Sequence, residues 1–135
     1  MKEEKHKKIV TQFFDAFSKG KKETALDLLD ETVIWQAMGT MGGDPMSILR
    51  NKEQIGELIT KMSDTIQDGL KLSMMGWTCE DERVAVEVEG MGVAKATGKS
   101  YDNFYHFLIV FKEEKIVQIK EYMDTLHAKC VFIDK

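Results

Sequence analysis

Residues 84–125 read VAVEVEGMGVAKATGKSYDNFYHFLIVFKEEKIVQIKEYMDT. Val84, Val86 and Val88 alternate with Ala85, Glu87 and Glu89, the period of a strand with one wet face. Glycines at 90, 92 and 98 bracket a bend and a turn. Asn103 to Phe111 is apolar on both faces, which predicts a strand covered on both sides. Lys112 to Glu114 turns the chain into a last strand, Lys115 to Thr125. Just upstream, Leu70, Leu72 and Met74 alternate with polar or smaller neighbours, and Glu80-Asp81-Glu82 makes the turn into Val84. The C-terminal half therefore reads as an antiparallel meander.

The N-terminal half changes period. Ile9, Val10, Phe13, Phe14 and Phe17 recur at helical spacing, and Lys19-Gly20 ends that helix with a cation and a glycine. A short second helix carries Ala25, Leu26, Leu28 and Leu29 and stops near Asp30. Thr32-Val33-Ile34-Trp35 is a first strand. Met38 to Asp44 holds three glycines before Asp44-Pro45 and reads as a loop. Asn51 and Gln54 form a capping pair that opens a third helix with the stripe Ile55, Leu58, Ile59, Met62, Ile66. Asp68-Gly69 breaks it. Three helices interleaved with one strand, followed by a meander, predict an α+β fold with helices on one face of the sheet.

Composition sets the bounds. A chain of 135 residues suits one domain, 1–135, and buries roughly two thirds of its unfolded surface without a disulfide or metal staple. Hydrophobic residues at 43% and charged residues at 31% exclude a disordered chain. The net charge of −4 and the absence of a basic face argue against nucleic acid as a partner. Lys2, Lys5, Lys7 and Lys8 mix with Glu3 and Glu4 as the wet side of a helix does. Cys79 and Cys130, the only cysteines, lack metal-ligand spacing and suit a reducing compartment. The opening MKEEKHKKIV is too charged for a signal-peptide core, and no apolar run reaches the roughly 20 residues of a membrane span. A cytoplasmic chain without a membrane role is the expectation.

Certain segments resemble a known family. Gly98-Lys99-Ser100-Tyr101-Asp102-Asn103, Tyr105-His106-Phe107, Lys115-Ile116 and Glu121-Tyr122-Met123-Asp124-Thr125 are similar to SnoaL-like polyketide cyclases. These belong to the nuclear-transport-factor-2-like, ketosteroid-isomerase-like superfamily. The resemblance implies a cone-shaped α+β barrel: three N-terminal helices on a strongly curved mixed or antiparallel sheet that encloses a pocket. It also implies a small apolar ligand and no cofactor or metal. Fold alone does not fix the activity.

Glu121 is the leading candidate for chemistry. Alternation puts it on one face of the last strand with Val117, Ile119 and Met123. A carboxylate in an apolar row is costly unless it is paired, protonated or facing a cavity, and burial would suit it to acid/base work near neutrality. The resemblance places a catalytic acid here, usually Asp. The competing reading is a solvated Glu at the sheet's rim. Glu87 and Glu89 share one strand face and could hold an acid and a base. Alternation alone instead sends both glutamates to water and the valines to the core. His106 shares a face with Phe104, Leu108 and Val110, as an assisting group or as a satisfied core or interface residue. By resemblance Trp35 lines the pocket, with Phe17, Tyr105, Met38 and Met123 expected beside it. The methionines adapt to irregular apolar shapes but also fill ordinary cores.

The resemblance also shows missing parts. The same superfamily includes limonene epoxide hydrolase, whose water-holding Tyr and Asn correspond by resemblance to Trp35 and Ala37 here and whose Arg-x-Asp pair meets Glu87 and Glu89. The steroid isomerase's helical tyrosine falls among Phe13, Phe14 and Phe17, and its aspartate among Gln36, Ala37 and Met38. Two readings stand. One is a cofactor-free cyclase or isomerase working by proton transfer on an apolar, carbonyl-bearing ligand. The other is a non-catalytic ligand-binding or dimerisation module, expected to pair as a homodimer through the sheet.

Overall fold

The structure, a computed structural model, describes residues 1–39 and 49–134. Its elements run α1 (Lys2–Ser18), α2 (Lys22–Leu26), β1 (Leu29–Ala37), β2 (Leu49–Arg50), α3 (Lys52–Thr65), β3 (Lys71–Glu80), β4 (Arg83–Val93), β5 (Ser100–Lys112), β6 (Lys115–Met123) and α4 (Thr125–Phe132). One six-stranded sheet has the order β2-β1-β6-β5-β4-β3. β1 and β6 run parallel; the other neighbours are antiparallel. The sheet is mixed, strongly curved and open at its β2 and β3 edges.

Packing follows the apolar stripes. Val10, Phe13, Phe14 and Phe17 of α1 are buried in the same core as Val84, Val86 and Val88 of β4 and Ile109 of β5. The capping pair at α3 forms in full: Asn51 accepts from Gln54 N, and the Gln54 side chain accepts from Asn51 N. Gly69, at φ +80°, lets the chain pass Ser18, whose carbonyl oxygen would lie 2.5 Å from an added Cβ. The glycine loop expected from Met38 to Asp44 lies largely outside the described residues.

The structure departs from the sequence reading at several points: α2 stops at Leu26, Leu29 already belongs to β1, and the edge strand β2 was not expected. The last strand ends at Met123, and a fourth helix starts at Thr125, capped by Asp124 Oδ1, which accepts from His127 N at 3.1 Å. A register shift between β5 and β6 pairs Phe111 with Ile116 and Val110 with Gln118. This bulge takes Val117 out of the inner row and puts Ile116 in its place, fully buried. Within one chain β5 is covered on its inner face only: Tyr105, Phe107 and Ile109 are buried, whereas Phe104 is 60% exposed on the outer face and His106 is also exposed.

Candidate functional site

A cavity of about 600 Å³ lies between the inner face of the sheet and helices α1, α3 and α4. Its walls are mostly apolar, including Phe14, Phe17, Leu58, Phe107, Met123 and Val131. The polar groups that reach it are few. Glu121 comes from β6, Arg50 from β2, and Tyr101 and Tyr105 from β5. Lys61 and Asp64 on α3 and Lys95 after β4 complete the charged lining.

Strand register places Glu121. It stands opposite Ala37 on β1 and Phe107 on β5, and its backbone carbonyl accepts from Met38 N at 2.7 Å. Trp35 Nε1 donates to Glu121 Oε1 at 3.0 Å. The indole is itself fixed, 2% exposed, with its ring centroid 5.6 Å from Phe17, 6.0 Å from Phe107 and 6.1 Å from Phe13. The carboxyl meets the cavity rather than bulk water. Burial pushes its pKa up from 4.5 to about 7, against the smaller opposing pulls of the Trp35 hydrogen bond and the Arg50 charge. At neutral pH the group is divided between acid and base, the condition for moving protons in either direction. Arg50, half-buried opposite Trp35 on the edge strand, has its own pKa lowered by burial and raised in turn by Glu121.

A second polar group faces the same space. The hydroxyls of Tyr101 and Tyr105 are hydrogen-bonded to each other. Asn103 Nδ2 donates to Tyr101 Oη and to the Asp124 carbonyl, each at 2.9 Å, while Asn103 Oδ1 accepts from Asp124 N at 3.2 Å. His127 stacks on Tyr101 at 5.4 Å. α4 thus locks the phenol pair from behind. Burial pushes Tyr101 up to about 12 and Tyr105 higher still, so both stay neutral donors. If Tyr101 donates to Tyr105, the Tyr105 hydrogen is left for a ligand.

The structure brings Glu121, Trp35, Phe17, Tyr105 and Met123 together around the cavity. Met38 sits beside this group, half-buried and joined to Glu121 through the backbone. Glu87, Glu89 and His106 are not part of it. Glu87 pairs across the ladder with His106, and Glu89 with Phe104, on the outer face, because the inner positions of β4 belong to the valines. The neighbouring Asp102 carboxyl raises the Glu89 pKa there by favouring its protonated form. Arg50, Tyr101 and Asn103 were missed by the sequence reading. A signal for α4 was present: Asp124-Thr125 precedes Leu126, Ala128, Val131 and Phe132 at helical spacing. Among the described residues, no group of three His, Cys, Asp or Glu side chains could hold a metal ion, and no helix is long and apolar enough to cross a membrane.

Solved structures share this architecture. An NTF2-like protein from Burkholderia xenovorans is 25% identical, with 97% of this chain and 98% of that chain covered at a TM-score of 0.78. An NTF2-like protein from Burkholderia pseudomallei, 16% identical, covers 96% and 98% at 0.82. A protein with a ketosteroid isomerase-like fold from Catenulispora acidiphila, solved in complex with trimethylamine, is 14% identical and covers 91% and 90% at 0.77. No curated protein matches the chain. The SnoaL-like domain matches residues 10–119, from the buried stripe of α1 through Ile119, two residues short of Glu121. Strands β1 to β5, helices α2 and α3 and most of the cavity wall fall within that span, and the chain belongs to the SnoaL-like domain family.

Proposed function

We propose that this protein binds a small apolar molecule in the cavity and acts on it by proton transfer through Glu121, without a cofactor. One observation carries the reading: a buried carboxyl whose proton affinity sits near neutrality, held by Trp35 on the wall of an apolar cavity. Structural ion pairs also perturb carboxylates, but Glu121 forms no ion pair among the described residues. Its charge-stabilising contact is a single indole N–H.

The chemistry follows from the two walls. An ionised Glu121 takes a proton from a carbon next to a carbonyl. Tyr105, backed by Tyr101 and Asn103, donates to the carbonyl oxygen as negative charge gathers there. The protonated Glu121 then returns the proton to another carbon, which completes an isomerisation; for ring closure the enolate carbon attacks a second carbonyl carbon of the ligand, its C=O π pair moves to oxygen, and that alkoxide takes the proton from Glu121. Steroid isomerisation and epoxide hydrolysis are disfavoured, because Phe13, Phe14, Phe17, Trp35 and Ala37 stand where those reactions need polar groups. The complex of the Catenulispora protein with trimethylamine supports small-molecule binding by this fold.

The test begins with mass spectrometry of the protein purified under non-denaturing conditions, which identifies a bound apolar compound. Glu121→Gln is then expected to abolish its conversion, or its solvent-proton exchange, while the fold remains. Equal turnover by wild type and variant would remove Glu121 from the mechanism.

A second reading concerns the outer face of the sheet. Phe104, Tyr122 and Met91 are 60%, 43% and 48% exposed, on three adjacent strands. We infer that a second copy of the chain covers this face in a two-fold dimer. Light scattering at micromolar concentration should give the dimer mass; a monomer would contradict it.

A further inference from the structure

We propose that the ligand of this cavity carries an acidic oxygen group, a carboxylate or an enolate, which pairs with Arg50. The proposal rests on the small-molecule reading of the cavity and narrows its ligand class to an apolar body with one anionic end.

Arg50 sits on the cavity wall with its donors unfilled among the described residues. It lines the cavity from the two-residue edge strand β2, opposite Trp35, and is half-buried. Among the described residues its guanidinium makes no hydrogen bond and no ion pair. A guanidinium offers five N–H donors in a planar fork, shaped for two parallel bonds to a carboxylate. Leaving those donors partly desolvated and unfilled is costly. The one carboxyl near enough to act on it electrostatically is Glu121, but Glu121 is largely protonated below neutrality and its Oε1 is engaged by Trp35.

The rest of the lining leans the same way. Three cations, Arg50, Lys61 and Lys95, meet two carboxyl groups, Asp64 and Glu121. Tyr105 adds an O–H donor that the Tyr101 hydroxyl can leave unspent. Lys61, Asp64 and Lys95 are exposed and screened by water, so the unspent donors on the otherwise apolar walls are those of Arg50 and Tyr105. A neutral hydrocarbon satisfies the walls and leaves Arg50 empty; an apolar acid satisfies both.

A matched pair of fluorescent probes tests this: anilinonaphthalene sulfonate and its uncharged counterpart N-phenylnaphthylamine, titrated into wild type, Arg50→Gln and Arg50→Lys. Arg50→Gln should weaken the sulfonate by about ten- to a hundredfold and change the uncharged probe by less than about twofold, with Arg50→Lys recovering part of the loss. Unfolding curves of the variants confirm that both are folded. If Arg50→Gln leaves sulfonate affinity unchanged while the uncharged probe still binds, the anion pairing is wrong and the apolar cavity stands. If neither probe binds wild type, the cavity reading falls and this proposal with it.

Discussion

Replacing Glu121 with Gln should make the protein more stable at about pH 8. The native carboxyl titrates near 7 and the unfolded one near 4.5. The native state therefore holds the proton more tightly, and the unfolded state releases it first as pH rises. Below about pH 4.5 both states are protonated and Glu121 has no effect on stability. Between 4.5 and 7 the stability that comes from protonation is progressively lost, and above 7 the full cost of burying the charge remains. That cost is about 3 kcal/mol. Gln carries no charge, nearly matches the volume, and its amide oxygen still accepts from Trp35 Nε1. Among the described residues, the other charged and titratable groups that line the cavity are Arg50 from β2, Tyr101 and Tyr105 from β5, Lys61 and Asp64 from α3, and Lys95 after β4. All are common to both proteins, so the difference isolates Glu121. Urea unfolding followed by tryptophan fluorescence at about pH 5 and about pH 8 is the assay. The variant should gain little at the lower pH and up to about 3 kcal/mol, roughly 10 °C in Tm, at the higher. A pH-independent difference, or a variant less stable at pH 8, would show that the charged carboxylate is structural and would refute the reasoning.

Other perturbations separate the parts of the account. Trp35→Phe removes the only hydrogen bond to the Glu121 carboxyl among the described residues and leaves a cavity at a buried site. The carboxyl midpoint should move above 7, and stability should fall by about 2–4 kcal/mol, read by pH titration and urea unfolding. Gly69→Ala forces a Cβ to within 2.5 Å of Ser18 O at φ +80°, so unfolding free energy should drop by about 1–3 kcal/mol; an unchanged midpoint would mean that the α1–β3 approach relaxes freely. Phe104→Glu puts a charge on the outer face, and sedimentation should show the monomer gaining over the dimer with Tm changed by only a few degrees.

Much of this architecture is legible locally. The Phe13/Phe14/Phe17 stripe, the Asn51–Gln54 cap and the Val/Glu alternation of β4 each carry their own period, and each element forms as that period predicts. Glu121 was legible for the same reason: it interrupts an apolar row. What sequence could not supply is set by pairing between distant strands. The bulge that exchanges Val117 for Ile116 depends on the β5–β6 register. The Asn103 bridge to Asp124 joins residues that period-2 reasoning treats separately, and it is what makes α4 part of the site. Arg50 carried no signal in the sequence; its pairing opposite the buried Trp35 on β1 is what brings it to the cavity wall. Glu87, Glu89 and His106 show the converse. Alternation alone sent both glutamates outward; the chemistry of two acids on one face, together with the resemblance, drew them among the candidates, and His106 entered for its capacity to exchange a proton near neutrality.

The central claim is that Glu121 holds its proton near neutrality inside an apolar cavity. Carbon-13 NMR of the glutamate carboxyls, with the Glu121 resonance assigned by its loss in Glu121→Gln, follows that proton directly. The account predicts a titration midpoint near 7; a midpoint at or below 4.5, the ordinary glutamate value, would contradict it.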